Sequence, residues 1–466
     1  MPIRVASNAM STLTRNPDGS ITLHTTVAVH LPAGTSMLDA ENALQAEVNK
    51  AGADLTGQML QLRDAEGKPL RLRGRTFTAK KKKEPLHIET PYGCVVISRW
   101  AYQTSSGGSC FYPLDQAARL RGSATPKFAQ MVSRKYVELP AAEVVRDLRE
   151  NHGRSISADF VQRLADLTGE MAQAALAAPG SGARTGLPAP DAAALPPPSA
   201  VATVMVGMDG ASMLMGMRNP QSISADRRKD RVREWRMAMI GTIALHDAAG
   251  QRLATLYAAS APPEHRDEGK SAFWEAMERE LAAVKERYPQ AHYVGISDGA
   301  ADFVPWLQAH TSEQVLDFFH ASGYLCAASG AFPSLVPEGA SAEWWGQAAC
   351  HELRHTPGAA AQILTEMEQR AAAPQKTDSV LTKALDAAIT YFRNNLSRMN
   401  YADCTARGLP IGSGVTEAGC KLLIKKRLCG PGMTWGFKAA SHLLSLRAVA
   451  HSSGGRWNSL WKSILA

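Results

Sequence analysis

The spacing of apolar and polar positions changes character twice along the chain. Residues 21–31 (ITLHTTVAVHL) are rich in β-branched side chains and predict a strand, and residues 36–62 carry a helical period interrupted near Gly52. LHIET and CVVISRWAYQ then predict a hairpin joined through Pro91, Tyr92 and Gly93. From residue 124 the period is helical again. PAAEVVRDLREN and SADFVQRLADLTGEMAQAAL form two amphipathic segments around the turn HGRSI, with Ser157 as N-cap of the second. Two helices about a tight Gly-containing turn have the outline of a helix-turn-helix, an outline that any helical hairpin shares.

Residues 177–200 consist of Ala, Pro, Gly and Ser with almost no large apolar side chains, so they predict a linker. Beyond them VATVMVGMDG is an apolar run ending in an acid, suited to a buried central strand. EWRMAMIGTIALHDAAGQRLATLYAAS predicts two strands turning at residues 247–250, and GKSAFWEAMERELAAVKERY a strong amphipathic helix. AHYVGISDGA is a fourth strand ending in an acid, ADFVPWLQAH a short helix and EQVLDFFH a fifth strand. Everything from there to about residue 400 reads as helix, and SGVTEAGCKLLIKKRL is a last helix with a basic face. The order β-β-β-α-β-α-β followed by helices predicts an α/β fold with a mixed sheet.

At 466 residues the chain has room for about three domains, and 45% hydrophobic with 20% charged residues excludes global disorder. No apolar run approaches the ~18 residues of a membrane span, and the first twenty residues lack the apolar core of a secretory signal. The seven cysteines are scattered and never form a CxxC pair, which predicts a reducing, cytoplasmic setting without a disulfide framework or an obvious zinc site.

The net charge of +8 is mild, but its distribution is not. Residues 60–83 hold nine bases against two acids: Arg63, Lys68, Arg71, Arg73, Arg75, Lys80, Lys81, Lys82 and Lys83 against Asp64 and Glu66. ADRRKDRVREWR (225–236) carries six bases and three acids, and Lys421, Lys425, Lys426, Arg427 and Lys438 have no acid among the residues that separate Lys421 from Lys438. Any one such run is equally well a solvated face, whereas three in a near-neutral chain favour contacts to a polyanion's phosphates.

Three acids stand out. Asp209 closes the first strand of the second region in VGMDG, Asp298 closes the fourth in GISDG, and Glu417 lies on the late helix in PIGSGVTEAGCK. Taken singly, an Asp-Gly at a strand end is a turn and a Glu in a basic helix is a surface residue. Taken together in this order, they suit a site of hard oxygen ligands for Mg²⁺, where two ions about 4 Å apart would assist an in-line displacement at phosphorus.

The block ARGLPIGSGVTEAGCKLLIKKRLCGPGMTWG (406–436) resembles the signature around the catalytic glutamate of a bacterial insertion-sequence transposase family of the DDE type. MDG, ISDGA and LDFFHASGYL are similar to that family's other blocks, in the same order, and the resemblance covers 201–466. It implies a ribonuclease H-like catalytic domain (201–320 and 401–466) interrupted by an all-helical insertion (321–400). A smaller α+β region (1–123) and a helix-turn-helix-like domain (124–176) would precede it. It further implies that Asp209, Asp298 and Glu417 form a metal-binding triad for Mg²⁺, with Mn²⁺ as substitute. The triad would cut double-stranded transposon ends and join them to target DNA. The working form would be a homodimer or larger synaptic oligomer, cytoplasmic and nucleoid-associated.

In Mutator-like relatives an acid- or Cys-x-x-His element follows the fifth strand, and Asp317 and His320 resemble it. His320 joins the expected catalytic set, to hold a flipped base, a scissile phosphate or a neighbouring carboxylate. Lys421, Lys425 and Arg427 are expected phosphate contacts, together with Arg71, Arg73, Arg75 and Lys80 to Lys83. Trp435 is expected to pack. Relatives often carry a zinc ribbon with two CxxC pairs after the basic segment. Here only Cys110 remains near the second pair, so no structural zinc is expected and packing alone must hold the hairpin. A catalytically inactive or domesticated DNA-binding protein, and a structure-specific nuclease without strand transfer, are the alternatives on the same residues.

Overall fold

In the computed structural model, Met1–Met171 with Ile464–Ala466 and Ala172–Ser463 form two compact units. The structure describes residues 11–72, 74–177, 194–218, 231–332, 341, 343–373 and 379–465. Arg73, residues 178–193 of the expected linker and 225–230 of the second basic run lie outside the described residues. No helix among the described residues is long and apolar enough to cross a membrane.

In the first unit, Ser11–Arg15 pairs antiparallel with Ile21–Thr25, so the strand expected over 21–31 stops early. The helix Met37–Gln61 is continuous through Gly52, and its first turn is capped by Ser36 Oγ, which accepts from the Asp39 N–H. Gly52 is a point of close approach rather than a break: a methyl group there would lie 2.6 Å from the Tyr92 ring. Tyr92 sits in the turn of the expected hairpin, Glu84–Glu89 against Cys94–Arg99. Thr90 Oγ1 accepts from the N–H groups of Tyr92 and Gly93 and closes that turn. The hairpin rests on an apolar cluster of Leu60, Ile88, Val95, Ile97 and Leu114. Leu70–Leu72, Arg75–Ala79, Tyr102–Thr104 and Gly107–Phe111 make a separate four-stranded sheet.

After a short helical turn (Pro113–Ala117) come the helices Pro126–Glu138, Ala141–His152 and Ala158–Ala177. Gly153, at φ 62°, ends the second, and Ser157 Oγ accepts from the Phe160 N–H to start the third, as its sequence predicts. A buried hydrogen bond from Ser133 Oγ to Thr168 Oγ1 (2.9 Å) ties the first of these helices to the third.

The second unit is built on one five-stranded mixed sheet. Its strands are β1 (Thr203–Arg218), β2 (Arg231–His246), β3 (Arg252–Ser260), β4 (His292–Ser297) and β5 (Glu313–Leu316). Their spatial order is β3-β2-β1-β4-β5, with β2 antiparallel to both its neighbours and β4 parallel to β1 and β5. The β2–β3 turn is made by Asp247, whose carboxylate accepts from the N–H groups of Ala249 and Gln251. Helix α1 (Ser271–Arg287) packs Phe273, Met277, Leu281 and Val284 onto one face. Gly241 of β2 leaves the space that Met277 fills.

Helix α2 (Val304–His310) connects β4 to β5. A helical block then covers the other face: α3 (Phe318–Ala328), α4 (Trp344–His355), α5 (Ala359–Ala372), α6 (Ser379–Asn395) and α7 (Tyr401–Ala406). Leu325, Leu353, Ile363, Met367, Leu385 and Phe392 form its core, continuous with Val294, Ile296 and Leu316 of the sheet. The fifth strand is shorter than EQVLDFFH predicts. It ends at Leu316, and Asp317 caps α3, so His320 belongs to a first helical turn. Helix α8 (Gly414–Cys420) crosses β1 and β2, then a π turn (Lys421–Lys425) and a short helical turn lead on to α9 (Phe437–His451). The last helix, Arg456–Leu465, is anchored to α1 by a fully buried ion pair of Arg456 with Glu280 (2.7 Å).

Candidate functional site

The pairing of β1 with β4 sets the site. Gly207 lies opposite Ile296 in a parallel register. Two residues further on come Asp209, still within β1, and Asp298, one residue past the end of β4, and the two-residue period puts Asp209 on the face of Gly207. Helix α8 lies on that face: a methyl group on Gly207 would be 2.2 Å from Thr416 Oγ1. Glu417 follows Thr416, and Cys420, one turn on, is buried near enough to Asp209 for its thiol to feel that carboxylate's charge. Burial, then the charge of Asp209, push the Cys420 thiol far above its ordinary pKa. Sequence reasoning passed over Cys420; its spacing from Glu417 in EAGCK was the available signal.

The two Asp-Gly pairs behave differently. Asp298 makes a turn: its carboxylate accepts from the Ala300 N–H (3.0 Å), and Gly299 takes φ +98°. Asp209 does not end its strand. It pairs with Ile240, and β1 runs on to Arg218, because Gly210 and the residues after it keep their partners on β2. Beside Asp298, Tyr391 of α6 donates its hydroxyl to the Asp298 main-chain oxygen (2.7 Å). Its ring stacks on Tyr324 at 4.0 Å, on the wall of a cleft of about 880 Å³ that Asn395 and Arg398 also line. Nothing in the local sequence marks Tyr391, which lies 93 residues from Asp298.

Glu417 gathers with two residues at the end of β5. Asp317, His320 and Glu417 form a group whose potential ligand atoms all lie within 4.8 Å of one another. Among the described residues only one other such group occurs, Glu313–Asp403–Cys404, and neither includes Asp209 or Asp298. Asp317 is fully buried. It accepts from the N–H groups of His320 (2.8 Å) and Ser413, while its own N–H donates to Ser297 (2.9 Å). Burial alone would raise its pKa, but the donors at Ser413 and His320 outweigh it and hold the carboxyl below its ordinary value. His320 Nδ1 is 3.3 Å from Asp317, and the ring is half exposed. A hollow of about 460 Å³ opens between His320, Phe319, Gly323, Tyr324 and Glu417.

The other group, at the start of β5, already holds a cation. The Arg407 guanidinium binds Glu313 (2.8 and 3.1 Å) and Asp403 (2.9 Å). Burial works against the Glu313 charge, yet Arg407 and His292 together bring its pKa below the ordinary value.

The expected phosphate contacts divide. Lys421 and Lys425 are exposed on the turn after Glu417. Arg427 is buried, with its guanidinium 5.3 Å from the Trp435 ring, and so does not share their surface. Trp435 packs as expected. Its N–H donates to Leu214 (3.0 Å) and its carbonyl accepts from the Gly216 N–H (2.8 Å), both on β1. In the first unit Arg71, Arg75, Lys81 and Lys82 are exposed, whereas Lys80 pairs with Glu84 and Lys83 with Asp64.

No protein-family model matches the chain, and no curated protein matches it either.

Proposed function

We propose that residues 172–463 form the catalytic unit of a DNA transposase of the DDE type on a ribonuclease H-like sheet. One observation carries the reading: the parallel register of β1 with β4 in a β3-β2-β1-β4-β5 sheet puts Asp209 and Asp298 each two residues beyond the paired Gly207 and Ile296, with Glu417 on the helix that crosses β1. That topology needs long-range pairing to bring the two acids towards each other across 89 residues of chain.

Three carboxylates are a hard-oxygen donor set of the kind that takes Mg²⁺, with Mn²⁺ as substitute. The bound metal would supply activation of water for cleavage and of the freed 3′-hydroxyl for joining. The residues of the chain do the rest. Cys420 orients Asp209, the Ala300 N–H orients Asp298, and Asp317 holds His320 beside Glu417. Lys421 and Lys425 offer charge to phosphates next to Glu417, while Arg71, Arg75, Lys81, Lys82 and the helices over 141–177 would read the double-stranded ends. Pairing two ends calls for a homodimer or larger assembly in the bacterial cytoplasm, bound to the nucleoid.

The DNA flanking the gene supplies the test substrate: short inverted repeats there, end-labelled and incubated with protein and Mg²⁺ or Mn²⁺, should be cut and joined. Equal cleavage by wild type and Asp298→Asn would sink the triad. The three acids do not all come within 4.8 Å of one another, which favours a second reading, a DNA-binding protein without catalysis. It predicts salt-dependent binding of the same DNA with no metal-dependent nicking. Nicks without joined products would instead identify a nuclease.

A further inference from the structure

The helical block holds a pair of thiols that the proposed chemistry does not use. Helices α3 and α4 run antiparallel at close range. Ser329 Oγ accepts from the Gly346 N–H (3.0 Å), a methyl group on Gly346 would lie 3.0 Å from the Cys326 α-carbon, and Cys350 Sγ is 3.7 Å from the Ser322 carbonyl oxygen. Each step along α4 thus meets an earlier residue of α3. Gly346 is the reason the backbones can approach so closely, since any side chain there would strike α3. Cys326 and Cys350 lie on the facing sides of this crossing, close enough for each thiol to feel the other. Cys326 is exposed and Cys350 is half-buried.

We propose that Cys326 and Cys350 are a disulfide-forming pair that small-molecule disulfides of the glutathione class oxidise. A disulfide requires α-carbons within about 7 Å; here Cys326 meets Gly346, one turn of α4 before Cys350, and Cys350 meets Ser322, one turn of α3 before Cys326, so the two cysteines share one close helix crossing. Cys326, open to solvent, attacks the reagent disulfide as thiolate, forms a mixed disulfide and releases one reagent thiolate. The Cys350 thiolate then attacks the Cys326 sulfur and expels the second. Both protein thiols lose their protons, and the two electrons reduce one reagent disulfide to two thiols. Burial pushes Cys350 up to about 11, so the second step quickens as pH rises. The new bond would tie α4 to α3, the helix whose first turn carries His320.

The test uses the full chain in native buffer with oxidised glutathione, followed by alkylation of free thiols and peptide mapping. Expected is a Cys326–Cys350 cross-linked peptide, loss of two free thiols and full recovery on adding dithiothreitol. Cys350→Ser should instead trap glutathione on Cys326, and Cys326→Ser should leave Cys350 unmodified, both with an unchanged circular dichroism spectrum. The proposal is overturned if native protein carries glutathione on Cys326 without forming the cross-link, if both thiols stay free, or if the cross-link appears only in denaturant.

Discussion

The buried Cys420 thiol of α8 lies close enough to the Asp209 carboxylate in the middle of β1 to feel its charge. Because burial and the Asp209 charge keep that thiol protonated, Cys420 should resist alkylation in native protein while exposed Cys94 and Cys326 react. Cys420→Ala should cost about 1–2 kcal/mol by urea denaturation, from the small cavity left where the buried sulfur was. Rapid alkylation of native Cys420 would show that the contact does not hold.

Gly207 sets the distance between α8 and the sheet. Gly207→Ala places a methyl group on Thr416 Oγ1 and should destabilise by about 1–3 kcal/mol, lifting Glu417 away from β1. Adding Thr416→Ala removes the colliding hydroxyl, so the double variant should recover much of the loss. A thermal-denaturation double-mutant cycle reads the coupling, and simple additivity would refute the contact.

The buried Arg456–Glu280 pair holds the last helix to α1. Arg456→Ala leaves Glu280 charged and unpaired in the core and should cost about 3–5 kcal/mol. Arg456→Met combined with Glu280→Leu should cost clearly less, because no buried charge is stranded. Equal losses from the single and the paired changes would mean that packing, not charge, dominates.

Asp317 gives a signed pH dependence. Its folded-state pKa lies below the unfolded one, so its stabilisation is fully present above the ordinary carboxyl value near ~4 and is lost as pH falls through the lower folded value. Asp317→Asn should therefore be less stable than wild type at neutral pH, with the difference shrinking as acid is added. Denaturation midpoints between neutral and strongly acidic pH check this; a gap that widens in acid would reverse the assignment.

Much of the architecture is written locally. Alternation and turn chemistry mark the β2–β3 turn at Asp247, and the Ser157 cap starts its helix where the residue types say it should. Where the sequence misleads, a distant partner decides. Gly52 suggests a helix break until Tyr92 is seen to need the space. Asp209-Gly210 suggests a turn until β2 is seen to keep pairing with it, whereas Asp298-Gly299, which has no such partner, is the turn it looks like. DFFH carries the apolar content of a strand, yet Asp317 finds the His320 N–H and begins a helix. The order of the three acids was legible, and so was the helical spacing of Glu417 and Cys420. The gathering of Glu417 with Asp317 and His320 was not, since it depends on how α8 meets the end of β5.

The stretch between α8 and Trp435 is clipped to one strand at both ends. Thr416 seats it on Gly207, and Trp435 hydrogen-bonds to Leu214 and Gly216. A span pinned twice to the same strand cannot slide along it, and it cannot gain or lose residues without buckling the π turn between the pins. Glu417 therefore belongs mechanically to β1 and travels with Asp209. Asp298 is held by other means, in the turn after the neighbouring strand, by the Ala300 N–H and the Tyr391 hydroxyl.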